Sequence, residues 1–142
     1  MKILLPLLVI TSFNVFAHGE KVPGPHGGHI RMPGAFHTEL VLNSDSAKVY
    51  LLDARFKNPM TKNSQVGLFL NSHHESKEIS CKVKEDHFDC PLPAKLTGIS
   101  EISVKAVRNG AKGQEAKYPL PLSFPQAPKA APAQDDHSHH NH

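Results

Sequence analysis

The sequence predicts an all-β fold: a single small immunoglobulin-like β-sandwich of six to seven strands with a disordered C-terminal tail. Three observations carry that expectation. Apolar and polar residues alternate over short runs spread through residues 35–124. Turn-forming clusters separate the runs, at Asn43-Ser44-Asp45-Ser46, Lys57-Asn58-Pro59 and Asn109-Gly110. No segment sustains a helical period, which argues against an α/β fold.

The strands follow in order. Residues 36–43 alternate, with Phe36, Thr38, Leu40 and Leu42 on one face and His37, Glu39 and Val41 on the other. Residues 48–54 are rich in Val, Tyr and Leu and form a second strand. Residues 66–70 make a third. The runs 77–84 and 87–92 read as a hairpin around Glu85-Asp86, with Lys84 opposite His87, Val83 opposite Phe88 and Cys81 opposite Cys90. In that register the cysteines occupy a non-hydrogen-bonded pair, where facing side chains come closest. A Cys81–Cys90 disulfide follows, with Ile79, Cys81, Val83, Phe88, Cys90 and Leu92 on the core face. Residues 99–107 supply the sixth strand, and Asn109-Gly110 turns the chain into the seventh at 114–124. Pro119 and Pro121 mark that last run as an edge strand or a departing arm.

The two ends differ from this domain. Residues 1–17 have the layout of a secretory signal peptide: Lys2, an apolar stretch from Ile3 to Ile10, and Val15-Phe16-Ala17 before the cleavage point. Cleavage after Ala17 implies a periplasmic or secreted protein beginning at His18. No later segment is apolar enough to cross a membrane as a helix, so no span is expected once the signal is removed. An oxidising compartment suits a structural pair of cysteines. Residues 18–34 hold three Pro and five Gly and read as an irregular Gly/Pro/His-rich arm. Residues 125–142 combine a Pro/Ala linker with the acidic, histidine-rich end Asp135-Asp136-His137-Ser138-His139-His140-Asn141-His142.

Charge narrows the function classes. The net charge is +3, and no Lys/Arg block with interleaved aromatics is present, so nucleic acid is not an expected partner. The chain has no Ser/His/Asp set with supporting loops, no phosphate-binding glycine loop and no paired carboxylates in a plausible cleft. A non-enzymatic protein is expected.

Histidine carries the positive signal. Of eleven, His18, His26, His29 and His37 crowd the N-terminal region, and His137, His139, His140 and His142 crowd the tail. Imidazole suits zinc, copper and nickel. His37 and Glu39 lie two apart on one strand and project from the same face. The glycines at 27 and 28 let the arm fold back, so His26 and His29 are expected to join them in an ordered Cu2+, Zn2+ or Ni2+ site. An N-terminal His18 offers both its α-amine and its imidazole to copper. The tail, with nothing to preorganise it, reads as a capture antenna or buffer. With Met only at 1, 32 and 60, a sulfur-rich copper(I) site is not expected. His73-His74-Glu75 and His87 read as solvated turn positions.

Gly24-Pro25-His26-Gly27-Gly28, then His37-Thr38-Glu39-Leu40, then Val49-Tyr50-Leu51-Leu52-Asp53-Ala54, resembles a small periplasmic β-domain family. Its pattern is roughly G-P-(H/N)-G-G, H-x-E-L and V-x-(V/L)-Y-L-x-D. Such domains occur alone and near periplasmic adaptor subunits of heavy-metal efflux pumps. The likeness spans about residues 22–70. It implies metal homeostasis or efflux, a periplasmic efflux component as partner, and site positions His26, His37 and Glu39. The disulfide hairpin and the tail are not part of the pattern, which fits a free-standing chaperone or buffer better than a pump subunit. The competing reading is a structural or interaction module whose histidines are incidental.

Overall fold

Ten short strands succeed one another along residues 18–125, the part of the chain that the computed structural model describes. The expected signal segment and the tail beyond residue 125 lie outside the described residues. Two antiparallel five-stranded sheets form. The first runs β1(His29–Arg31), β2(His37–Leu42), β3(Ser46–Leu52), β7(Phe88–Pro91), β6(Lys82–Val83). The second runs β10(Ala116–Pro119), β8(Glu101–Arg108), β4(Gln65–Asn71), β5(Ser76–Ile79), with β9(Ala111–Lys112) also paired to β8. Among the described residues no helix is long and apolar enough to cross a membrane.

The sandwich expectation holds, and the strand count rises for three reasons. The arm is not irregular throughout: His29–Arg31 pairs with β2 as an edge strand, after a short 3-10 turn at His18–Lys21. The single run expected at 77–84 is cut in two, because Ser80 and Cys81 carry the chain from β5 in the second sheet to β6 in the first. Ala111–Lys112 form β9 ahead of the run expected at 114–124, of which only Ala116–Pro119 is strand, and Gly113–Glu115 separate the two. There the chain has one more residue than β8 opposite it, a bulge between β9 and β10.

Period-2 alternation sets the core. Leu40, Val49 and Phe88 stand in register across β2, β3 and β7, and pack with Leu68, Leu70, Ile102 and Val104 of the second sheet. Tyr118 crosses the middle, fully buried, with its hydroxyl 2.7 Å from Thr38 Oγ1 and donating to the Thr38 carbonyl at 3.1 Å. Burial pushes its phenol pKa well above the usual range. Arg31 closes that edge of the sandwich, lying over the Tyr118 ring and donating to the Lys117 carbonyl at 2.8 Å.

The disulfide hairpin has the expected register. Val83 pairs with Phe88, Lys84 N–H donates to the His87 carbonyl, and Cys81 is bonded to Cys90 with 4.1 Å between Cα atoms. One face assignment fails. Val83 is 65% exposed, because the sheet change at Ser80–Cys81 leaves β6 as a bare edge rather than part of the core face. Asn109 and Gly110 both have positive φ and turn β8 into β9 as the sequence expects.

Two outcomes test this architecture. Replacing Cys81 and Cys90 by serine reopens a nine-residue separation, and chemical denaturation is expected to show about 2–3 kcal/mol lost. Tyr118→Phe leaves buried Thr38 oxygens short of a partner and is expected to cost about 1–2 kcal/mol in the same assay.

Candidate functional site

The outward face of the first sheet, where a two-layer sandwich ordinarily meets water, is covered. Register places Ile30, Glu39 and Tyr50 side by side across β1, β2 and β3. Continuing the β3–β7 register by one step brings His87 opposite Tyr50. The residue before β1 that matters most is His26, carried on the arm that folds over this row.

Glu39 organises the arm. Its side chain is completely buried, and a buried carboxylate must be hydrogen-bonded. Oε1 accepts the backbone N–H of His26 at 2.8 Å and of Gly28 at 3.0 Å. Oε2 lies 2.7 Å from His26 Nδ1. The loop can come this close only because Gly24 and Gly28 lack side chains. A Cβ at Gly24 would meet Glu39 Oε1 at 2.5 Å, and one at Gly28 would meet the Leu40 carbonyl at 2.6 Å. The turn itself is closed by Gly27 N–H to the Gly24 carbonyl, with Gly27 at φ 77°.

The network assigns the His26 tautomer. A carboxylate already accepting two N–H groups on one oxygen takes a third donor on the other, so Nδ1 carries the proton. In the neutral ring it is then Nε2 that carries the lone pair, and the side chain is 29% exposed. The ring stacks on Tyr50 with 3.6 Å between centroids and 6° between planes. Tyr50 in turn meets His87 at 5.2 Å and 33°. His87 is not a solvated turn residue: its side chain is 17% exposed, and Nδ1 lies 2.6 Å from Asp86 Oδ1. That hydrogen bond is the main reason the Asp86 carboxyl sits below its usual range, with His26 nearby adding to the effect. Burial, then the Asp86 and Glu39 charges, push the Tyr50 phenol upward.

The other predicted positions divide. His37 shares the outward face with Glu39 but is buried elsewhere on it: Nδ1 bonds the Asp53 carbonyl at 2.9 Å, and the ring stacks on Phe56. Asp53 builds the loop that delivers Phe56. It accepts N–H bonds from Arg55 and Lys57 and the Asn58 amide, and these, Lys57 first, hold its carboxyl below the usual range. Phe56 and Asn58 take positive φ within that loop. His29 belongs to a different place. It pairs with Leu40, so it points to the sandwich side of β1, where it stacks on Phe124 at 4.0 Å. Burial, then Arg31, push its pKa down. The backbone of His18 lies in the 3-10 turn. His137, His139, His140 and His142 lie outside the described residues. His73 and His74 are exposed in a turn closed by Ser72 and Glu75.

Among the described residues, no three His, Cys, Asp or Glu side chains stand together as a ready-made metal cage. The four-residue cluster of His26, His29, His37 and Glu39 is therefore not assembled; His26 and Glu39 alone meet. What the sequence reading missed is the second half of the row, Tyr50, Asp86 and His87. The signal was present in the hairpin register, which fixes His87 one step beyond Phe88, but the β3–β7 pairing that brings it to Tyr50 joins distant segments. No protein-family model, curated protein or solved structure matches the chain.

Gly24→Ala and Gly28→Ala test the cradle. Each is expected to lift the loop from Glu39 and to cost about 1–3 kcal/mol. Stacking on Tyr50 shifts the His26 ring protons upfield in the NMR spectrum, and both variants are expected to lose that shift. An unchanged shift would mean the loop does not depend on close approach at these glycines.

Proposed function

We propose that the protein is a periplasmic, non-enzymatic binder of a divalent transition-metal ion, copper(II), zinc or nickel, acting as a chaperone or buffer in metal homeostasis or efflux. The observation that carries this reading is the Glu39–His26 pair. A metal-binding histidine typically gives its second ring N–H to a carboxylate, which fixes the tautomer and raises the basicity of the other nitrogen. Glu39 is in that relation to His26. Its role is thus to orient the ligand rather than to bind the ion itself. The clustering of histidines at both ends of the chain and the likeness to efflux-associated periplasmic domains support the same reading. In it the tail histidines collect the ion at low affinity, and His26 receives it on a folded surface.

The test is calorimetric titration of the chain from His18 to His142 with His137, His139, His140 and His142 changed to alanine. Copper(II), zinc and nickel are titrated in turn. At least one ion is expected to bind at one equivalent with Kd below about 10 μM, roughly 7 kcal/mol. His26→Ala is expected to abolish that event. Glu39→Gln is expected to weaken it about 10- to 100-fold, with its fold checked by thermal denaturation. If the tail variant binds none of the three ions, the folded domain is an interaction module and metal binding resides in the tail alone; if His26→Ala binds as tightly as its parent, the ion is held elsewhere on the domain and the His26 site is refuted.

A further inference from the structure

We infer that His87 is a second metal ligand, forming with His26 a two-imidazole site over Tyr50; the inference rests on the metal-binding reading above. Two observations point to His87. It repeats the arrangement of the first pair, with a carboxylate, Asp86 Oδ1, at 2.6 Å from Nδ1. It also stands against the same aromatic ring that His26 covers, at 5.2 Å from the Tyr50 centroid.

The geometry follows from the strands. Glu39, Tyr50 and position 87 occupy successive places in one row across β2, β3 and β7 on the outward face. Opposed residues in such a row have Cβ atoms about 4.5–5.5 Å apart. The arm then sets His26 over the middle of that row, above Tyr50, with the hairpin turn Lys84–His87 beside it. Each ring has its Nδ1 committed to its own carboxylate, so each offers Nε2 as its free donor. Both side chains retain some exposure, 29% for His26 and 17% for His87, so an ion reaches them without opening the core.

Two imidazoles with outer carboxylates suit copper(II), zinc or nickel and offer nothing to a hard cation such as calcium. Two protein ligands also leave the rest of the coordination sphere open. Structural sites close it with four protein ligands; an open one accepts water or a donor from another chain. The site is arranged to pass an ion on rather than to seal it in.

Tyrosine fluorescence tests the proposal, because the chain has two tyrosines and no tryptophan. Tyr118 is buried in the core, and Tyr50 lies under the proposed site. Aqueous copper(II) is titrated into the tail-histidine variant of the chain from His18 in a non-coordinating buffer. Emission is expected to be quenched at one equivalent, and Tyr50→Phe is expected to abolish the quenching. His87→Ala is expected to raise Kd about 10²-fold, the loss that follows when one arm of a chelate is removed. His87→Gln, which keeps most of the bulk, is expected to match it, and Asp86→Asn to weaken binding about tenfold. If both His87 variants bind as tightly as their parent while His26→Ala does not, the second ligand is refuted and the metal-binding reading stands. If quenching persists in Tyr50→Phe, the ion is bound away from this row and the site is refuted. If neither histidine matters, both readings fall together.

Discussion

A carboxylate buried without solvent has to be surrounded by donors, and the structure of this domain follows from how Glu39 meets that demand. Its neighbours in β2 and β3 give it none, since their backbone groups are used in the sheet. The donors come from the arm, as two backbone N–H groups and one imidazole. Satisfying Glu39 therefore means docking residues 24–28. Docking them continues the chain into β1, adds an edge to the first sheet, and covers Tyr50, which forms a small apolar cluster with Ile30 and Leu52. The sandwich becomes, along this stretch, a three-layer assembly.

The consequence for chemistry is that one interaction serves two ends. The hydrogen bonds to Glu39 that hold the loop also engage His26 Nδ1 and fix its ring over Tyr50. Holding the imidazole in place in this way lowers the entropic cost of any contact that His26 makes. The remaining members of the sequence pattern have separable duties. Asp53 shapes the loop after β3, Phe56 from that loop covers His37, and His37 is spent on the Asp53 carbonyl. Much of the pattern that resembles a metal-handling family thus builds the surface, while His26 is the member that faces out from it.

Sequence alone made the sandwich legible through short runs, alternating at 36–43 and 99–107 and rich in Val, Tyr and Leu at 48–54, which match β2, β8 and β3 to within two residues. The Cys81–Cys90 pairing was legible for the same reason, being fixed by counting out from a short turn. What failed depended on contacts between distant segments. Val83 alternates like a core residue, but only the sheet change before β6 decides that it faces water. His29 and His37 have the residue type and spacing of ligands. Periodicity cannot say that one turns to the opposite face of β1 and the other bonds a loop carbonyl. His87 was hidden by the converse effect, a polar residue next to a turn that a non-local strand pairing draws onto Tyr50.

The cradle around Glu39 separates scaffold from display. Two of its three hydrogen bonds are made by main-chain amides, which every residue type except proline supplies. The glycines needed for close approach are at 24 and 28, on either side of position 26. Side-chain identity at 26 is thereby largely released from the task of holding the arm in place. A lineage carrying this loop can exchange the group presented there, for asparagine as in the resembling pattern or for a softer donor, at the expense of one contact to Oε2. The group displayed by the same fold can then change at a single codon, with the neighbouring backbone left where it was.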